Sequence, residues 1–355
     1  MSSLFKIVFV IASFFVLVMP CFAEQAEQLT GNNVLVLFKQ NDSLSRKIAD
    51  YYAQERAVPK SQLVDLKLPT LNNSSISPSQ FNDIQQQIKP YLSDQIKVLL
   101  ITWHTPYRVG CMSITSALSL GYDEKYCSHN KTHISGCHRT ANSPFFNAKS
   151  GQLWQRDSIR LSMMLSGRRF EEAKELIDRG VKADKSQPEG DAYLVRTQDP
   201  QRSTRWRIFK KFADIWPEQN GLQIHYVDDH LRSQGTSIKN KNNILFYLTG
   251  YTQVPDIKSN NYLPGAIADH LTSTGGAGIS SQGQMKAFRW LEAGATGSYG
   301  TVIEPCNYPQ KFPNAQILIP SYVGGDSLIE AYWKSVQQPG EGLFMGEPLA
   351  CPWCH

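Results

Sequence analysis

The residues from 264 to 306 constrain the fold of this chain more than any other stretch. They contain a strand pattern, a helical pattern and a second strand pattern, over residues 266–272, 282–293 and 298–303. In the helical part, Met285, Phe288 and Leu291 share one face, which is the spacing of an amphipathic helix that packs on a sheet. A strand–helix–strand unit of this length requires parallel strands with a right-handed crossover. Both strands are therefore predicted to end on the same side of the sheet.

Similar patterns extend over most of the chain. Apolar runs of strand length occur at 33–39, 63–68, 96–103, 192–196, 223–227 and 244–247. Helical patterns occur at 44–54, 81–91, 159–165, 170–181, 202–216 and 327–336. This alternation predicts an α/β fold with a mainly parallel, doubly wound sheet. We expect the strands at 34–39, 96–103, 244–248, 266–272 and 298–303 to run in one direction, so that their ends share one rim.

The first 23 residues have the pattern of a secretory signal peptide. Lys6 precedes an apolar run over 7–18, and a small residue, Ala23, stands at the expected cleavage site. The alternative is an uncleaved anchor. The remainder, residues 24–355, is predicted to form one α/β domain, with a split near residue 190 as the alternative. It contains no second apolar run of the ~20 residues that a membrane span needs. The sequence thus predicts a soluble periplasmic or extracellular protein.

The net charge and the cysteines restrict the function classes further. The formal charge of +5 is mild and no stripe of Lys and Arg stands out, so no nucleic-acid partner is predicted. Residues 104–157 form an irregular insertion rich in Cys and His, and an irregular segment of this length is commonly functional or disordered. An exported chain favours disulfides there over zinc, although Cys and His are zinc ligands. No metal and no particular cofactor is predicted. Beyond the signal peptide, the cysteines are Cys111, Cys127, Cys137, Cys306, Cys351 and Cys354.

The pairing of these cysteines stays open at the sequence level. Cys306 is expected to be half of a disulfide, with Cys111 as the suggested partner, rather than a nucleophilic thiolate. Cys351 and Cys354 form a C-P-W-C motif that either closes on itself or acts as a redox pair. A redox motif should lie between a strand and a helix, and this one has only His355 after it, so a structural or labile bridge is favoured.

Ligands of open parallel sheets bind beyond the carboxyl ends of the strands, and polar side chains follow several predicted strands here. Asp269, His270 and Glu304 are the candidate catalytic residues, since acids and a base suggest hydrolysis or acyl transfer. The candidate binding residues are Asn41, Asp42, Trp103, His104, Tyr251, Ser273 and Cys306. The structural alternatives are a buried, satisfied His270 and a turn-capping Asp269. Another alternative is a glycan-binding module that uses the rings of Trp103, Tyr107 and Tyr251.

From residue 33 to residue 352 the sequence resembles a family of exported bacterial proteins that occur together with exosortase protein-sorting systems. The matching segments include NVLVLFKQNDSLSRKIADYYAQER, LLITWHTPYRVGC, PGAIADHLTS, EAGATGSYGTVIEPCNYPQKFP and MGEPLACP. The resemblance implies export, with partners among envelope or secreted proteins. It implies a role in handling surface proteins or extracellular polymers, and it supplies no reaction.

A weaker likeness is to the gingipain-type cysteine peptidases, which have a caspase-like fold. In that family one strand ends in His-Gly, the next ends in the catalytic cysteine, and a late Gly-Asp-Pro turn follows. The corresponding positions here hold Thr249-Gly250-Tyr251, then Thr272 or Ser273, then Gly346-Glu347-Pro348. The likeness therefore implies a caspase-like arrangement that lacks the His/Cys dyad.

Overall fold

A computed structural model describes residues 28–69, 74–128, 137–149, 160–217, 221–230, 237–280 and 283–354. The strands in this part are β1 (Val34–Lys39), β2 (Leu63–Leu66), β3 (Ser75–Ile76), β4 (Val98–Ile101), β5 (Arg108–Val109), β6 (Met112–Ser113), β7 (Leu161–Met164), β8 (Gly190–Arg196), β9 (Leu222–Asp228), β10 (Ile244–Gly250), β11 (Tyr262–Leu271), β12 (Gly297–Thr301) and β13 (Gly342–Gly346). The α-helices are α1 (Ser43–Glu55), α2 (Pro78–Ile88), α3 (Ile114–Leu120), α4 (Phe170–Ala183), α5 (Trp206–Ile215), α6 (Phe288–Glu292), α7 (Ala315–Val323) and α8 (Leu328–Ser335).

Ten of these strands form one sheet in the order β2-β1-β4-β7-β13-β12-β11-β10-β8-β9. All neighbouring pairs are parallel except β12 and β13. The predicted α/β fold with a mainly parallel sheet is thus confirmed. The inner strands are largely buried because helices cover them, whereas the edge strand β9 is mostly only partly buried. In β4, for example, all four residues are buried.

The antiparallel pair divides the sheet into two strand groups. Strand β13 pairs with β12 in the antiparallel sense over five residues and with β7 in the parallel sense. The first group, β2, β1, β4, β7 and β13, therefore runs opposite to the second group, β12, β11, β10, β8 and β9. The prediction of one common strand direction is wrong. It holds within each group, where local crossovers fix the direction, and fails between the groups.

Two helix predictions also need correction. Residues 159–165 were assigned a helical pattern, yet Leu161–Met164 form β7, which is completely buried between β4 and β13. A short apolar run does not distinguish a buried strand from a buried helix. The helix predicted over 282–293 is confined to α6, Phe288–Glu292. The described residues before it, Gly283–Ala287, form a bend and a turn instead of helix.

The described residues of the insertion, 104–128 and 137–149, combine irregular segments with short ordered pieces. Helix α3 packs against β7 and β13, and β5 and β6 join β3 in a small second sheet. Three disulfides tie the chain together: Cys111–Cys127, Cys137–Cys306 and Cys351–Cys354. Cys306 is therefore in a disulfide, as expected, but the suggested partner Cys111 is wrong. The C-P-W-C motif closes on itself.

The predicted signal peptide, residues 1–23, lies outside the described residues, and so do His129 and His133 of the insertion. Among the residues that are described, no helix is long and apolar enough to cross a membrane.

Candidate functional site

The two strand groups place the sequence-predicted site residues at opposite ends of the sheet. Tyr251, Ser273 and Glu304 follow β10, β11 and β12, and we call this side the β10–β12 end. Asp42 and His104 follow β1 and β4, which run the other way, and we call that side the β1–β4 end. The predicted shared rim therefore exists for β10, β11 and β12, but β1 and β4 do not contribute to it.

The residues at the β1–β4 end have local structural contacts. Asp42 caps α1, because its carboxylate accepts a hydrogen bond from the backbone N–H of Ser45 at 2.9 Å. The Trp103 side chain is buried, and its Nε1 donates to the carbonyl of Pro106 at 3.1 Å. Burial lowers the pKa of the half-buried His104, while the charge of Asp42 acts in the opposite direction. Asn41 is exposed and has a positive φ of 61°. The buried Trp103 ring offers no free face for stacking on a sugar.

Asp269 and His270 are neighbours on β11, so their side chains point to opposite faces of the sheet. The Asp269 carboxylate forms a buried ion pair with Arg205 at 2.6 Å. Burial raises the pKa of Asp269, and the charge of Arg205 opposes that effect. His270 lies on the other face against Trp290. Glu304 is exposed beyond the end of β12 and accepts a hydrogen bond from the backbone N–H of Cys306 at 3.1 Å. The three predicted catalytic side chains do not converge, and their catalytic role stays a prediction.

Both ring nitrogens of the fully buried His270 have partners. Trp290 Nε1 can only donate, and it lies 2.9 Å from His270 Nδ1, so Nδ1 accepts. His270 Nε2 then carries the proton and donates to the carbonyl of Met285 at 3.0 Å. Burial lowers the pKa of His270 to about 3, and nearby cations act in the same direction. This arrangement holds a neutral imidazole in one tautomer and leaves no nitrogen for a substrate proton.

A hydroxyl-rich turn follows β11 at the β10–β12 end. Gln284 Oε1 accepts a hydrogen bond from the Thr272 hydroxyl at 2.8 Å and one from the backbone N–H of Thr274 at 3.0 Å. The Thr301 hydroxyl of β12 donates to the carbonyl of Ser273 at 3.0 Å. Thr272 is buried, whereas Ser273 and Thr274 are half-buried. The turn thus presents two adjacent hydroxyl groups on a backbone that is fixed from both sides.

A buried cation lies next to this turn. Lys286 is 7% exposed, and its Nζ donates to the carbonyl of Thr274 at 3.1 Å. The same nitrogen lies 3.4 Å from Thr274 Oγ1. Within the described residues Lys286 forms no ion pair with a carboxylate. Burial lowers the pKa of Lys286, since a charged ammonium loses its hydration there. At a given pH, a larger fraction of the Lys286 side chain is therefore the neutral amine than for a lysine in water.

A second cation reaches the turn from the loop after β8. Arg202 Nε donates to the Thr272 hydroxyl at 3.2 Å, and the same guanidinium pairs with Asp199 at 2.8 Å. Gly250, the last residue of β10, allows this approach, because a Cβ there would overlap the carbonyl oxygen of Arg202. Gln201 is linked in turn to Asn307, which follows β12, by a 3.1 Å hydrogen bond. The loops after β8 and β12 therefore meet beside the turn.

The Cys137–Cys306 disulfide lies at the same end of the sheet. Cys306 follows β12, and the bond connects it to the insertion. Its sulfur is consumed in the disulfide, so Cys306 does not supply a free thiolate. Tyr251 is half-exposed after β10. Among the described residues, no group of three or more His, Cys, Asp or Glu side chains is placed to hold a metal ion.

The geometry singles out three residues that sequence reasoning missed: Arg202, Thr274 and Lys286. Thr274 is the neighbour of Ser273, a predicted binding residue, so its position was foreseeable. Lys286 fell inside a predicted amphipathic helix, where a lysine is expected to be exposed. Its burial arises because residues 283–287 form a bend and a turn bonded to the loops after β10 and β11 instead of helix, and no local pattern indicates that. The cluster is a hydroxyl next to a desolvated amine, which are the components of nucleophilic acyl transfer.

Comparisons with known proteins give little guidance on the reaction. No protein-family model matches the sequence, and no curated protein matches it. One solved structure, titled "Structure of Protease", is similar with a TM-score of 0.46 and 11% sequence identity, over 90% of this chain and 78% of that chain. A similarity of this extent says nothing about the site.

Proposed function

We propose that this protein is a hydrolase that cleaves acyl bonds at the turn after β11, with the Thr274 hydroxyl as nucleophile and Lys286 as general base. The observation that carries the proposal is the buried Lys286 Nζ, 3.4 Å from Thr274 Oγ1 and without a carboxylate partner in the described part of the chain. Hydroxyl–lysine pairs are an established variant of the serine–histidine arrangement. A lysine suits this role when burial lowers its pKa toward the working pH.

The proposed reaction begins with the neutral Lys286 amine, which takes the proton from Thr274 Oγ1. The oxygen then bonds to the substrate carbonyl carbon, and the carbonyl oxygen takes up the electron pair. When that intermediate collapses, the bond to the leaving amine or alcohol breaks and Lys286 returns its proton to the leaving group. Water next attacks the acyl-Thr274 ester, Lys286 takes the proton of the water, and Thr274 recovers its hydroxyl hydrogen through Lys286.

The surrounding residues support the positions that this chemistry requires. Gln284 Oε1 accepts from the Thr274 backbone N–H and from the Thr272 hydroxyl, which fixes the turn in front of Lys286. Arg202 is held beside Thr272 by Asp199 and places a positive charge near the turn. Half-buried Ser273 is adjacent and is proposed to contact substrate.

The proposal excludes a cysteine-peptidase reaction. The position that the gingipain-type likeness assigns to a catalytic cysteine holds Thr272 and Ser273, and Cys306 is bonded to Cys137. The dyad histidine is equally missing, since β10 ends in Thr249 and Gly250. The reaction therefore needs a different nucleophile and a different base, which the neighbouring hydroxyl and amine supply.

We further propose that the protein acts outside the cytoplasm, on secreted or envelope proteins. Three disulfides support an oxidising compartment. The signal-peptide pattern of residues 1–23 and the resemblance to exosortase-associated proteins point the same way. This location is tested by fractionation of cells that express the full chain, with immunodetection of a cleaved form in the periplasm or medium.

The reaction is tested with purified full-length mature protein on peptide libraries and p-nitrophenyl esters. Thr274→Ala and Lys286→Met should each lower the turnover rate at least a hundredfold, while Thr274→Ser should retain part of it. Lys210→Met, on the exposed pair with Asp214, is the matched control and should leave the rate unchanged. An acyl adduct on the peptide that contains Thr274, seen by mass spectrometry, would identify the nucleophile. Full activity of Thr274→Ala, or no activity of the wild type on any substrate, would refute the proposal.

A further inference from the structure

A small cavity lies beside the start of α5, away from the Thr274 turn. It is partly open to solvent and is lined by residues at the start of α5, by residues 309–315, by Phe146 of the insertion and by Ser335 and Gln337, and its volume is about 100 Å³. Phe146, Phe209 and Phe312 contribute apolar rings to the wall, and Arg205 and Gln310 are among its polar residues. Four separate parts of the chain therefore build one mostly apolar cavity.

Arg205 is the buried polar residue of this cavity. It is 2% exposed, and its guanidinium lies 5.1 Å from the centre of the Phe209 ring. One terminal nitrogen donates to the carbonyl of Thr249 at 2.5 Å and to Asp269 at 2.6 Å, and the other donates to the carbonyl of Pro313 at 3.2 Å. The remaining donor, Nε, is buried and has no acceptor among the described residues. A buried donor without a partner costs about 1–3 kcal/mol, so an acceptor in the cavity would stabilise this site.

Gln310 presents the complementary group. Its Oε1 is buried and accepts no hydrogen bond from any described residue. Arg205 Nε is thus a buried donor and Gln310 Oε1 a buried acceptor, both without a partner among the described residues, and both residues line the cavity. The charge of Arg205 is already balanced by its ion pair with Asp269. An occupant that both accepts and donates is therefore favoured over an anion, which only accepts.

We propose that this cavity binds a small branched aliphatic group that carries a neutral amide, which is the chemistry of an aliphatic residue in a peptide. The amide oxygen accepts from Arg205 Nε, and the amide N–H donates to Gln310 Oε1. The aliphatic part packs against the three phenylalanine rings. Binding here does not require the hydrolysis proposed above, because neither Thr274 nor Lys286 lines the cavity.

The test uses isovaleramide and its carboxylate analogue isovalerate as probes, with binding followed by ligand-observed NMR on the full-length mature protein. Isovaleramide should bind saturably and at least tenfold more tightly than isovalerate. Gln310→Met removes the acceptor at similar volume and should weaken isovaleramide at least tenfold. Ala315→Leu fills the cavity and should abolish binding. Gln316→Met, a neighbouring glutamine outside the cavity, is the matched control and should bind like the wild type.

Three outcomes would overturn the inference. The first is absence of saturable isovaleramide binding to the folded wild type, which would leave the cavity to water. The second is equal or tighter binding of isovalerate, which would show that the Arg205 charge selects an anion. The third is unchanged isovaleramide affinity in Gln310→Met. If Ala315→Leu lowers the melting temperature, Gln310→Met and the comparison of the two probes still decide the matter.

Discussion

Trp290 and His270 form a buried hydrogen bond in which the indole Nε1 donates to the imidazole Nδ1 over 2.9 Å. Because an indole has no acceptor, a protonated His270 would place two N–H groups against each other. The pair therefore excludes the imidazolium form on steric and electrostatic grounds together. Because Nδ1 accepts from Trp290, His270 Nε2 carries the proton and donates to the carbonyl of Met285. This hydrogen bond holds Met285 against β11.

His270 should make stability depend on pH in the acid range. Its pKa is about 3 in the folded protein and about 6.5 in the unfolded chain, so the unfolded state binds more protons between these values. The stabilisation is complete above pH 6.5 and is lost as the pH falls toward 3, at roughly 1 kcal/mol per pH unit. Urea unfolding between pH 4 and pH 8 measures this slope. His270→Gln should flatten the slope. An unchanged slope in His270→Gln would contradict the assignment.

The buried pair of Arg56 and Glu347 should be a major contributor to stability. Glu347 is completely buried and accepts from Arg56 at 3.0 Å and 2.6 Å, and Arg56 also contacts Asp184. Arg56→Met leaves a buried carboxylate without its counter-charge, and we expect a loss of about 3–5 kcal/mol in the free energy of unfolding. Denaturant titration measures the loss. Arg46→Met, in an exposed pair with Asp50, should cost less than about 1 kcal/mol. A similar cost for both variants would show that Arg56 is not coupled to Glu347.

The disulfides should differ in their contributions to stability. Cys137–Cys306 joins residues 169 apart in sequence, and Cys111–Cys127 joins residues 16 apart. In the chain-entropy model the longer loop contributes roughly 5 kcal/mol and the shorter roughly 3 kcal/mol. Replacing both cysteines of a pair by serine should therefore lower the free energy of unfolding more for the longer loop. The comparison of the two double variants by guanidinium titration checks the order, and the reverse order would point to strain or to residual structure in the unfolded state.

The pH dependence of turnover should report on Lys286. Burial lowers the pKa of its ammonium below the usual 10.5, so the rate should rise with pH along a limb whose midpoint lies below 10.5. Lys286→Arg keeps a cation but removes a group that can lose its proton, and this variant should be inactive across the range. The initial rate with a p-nitrophenyl ester, corrected for hydroxide hydrolysis, is the measurement. A limb that persists unchanged in Lys286→Met would assign the titration to another group.

Local patterns in the sequence predicted most elements, because the strands are short buried apolar runs and the longer helices are amphipathic. Residues 34–39, 244–250 and 262–271 form strands close to where the patterns indicated. The direction of the first strand group relative to the second was not predictable. It depends on β13, which lies between β7 and β12 although it comes last in the chain order. No local pattern records a contact between segments so far apart.

The candidate site was predictable only in part, because some of its contacts follow from local patterns and others do not. The strand–helix–strand unit predicted that the residues after β10, β11 and β12 lie at one end of the sheet. Ser273 does lie in that region. The separation of Asp269 from His270 follows from strand alternation, which the sequence already contains. The desolvation of Lys286 and the approach of Arg202 to Thr272 were not predictable, since both depend on how loops cross the end of the sheet.

The position of β13 has a consequence for how the molecule is assembled. Until Gly342–Gly346 has entered the sheet, β7 and β12 each have an unpaired side with open backbone groups. Strand β13 is therefore the element that joins the two strand groups into one continuous sheet.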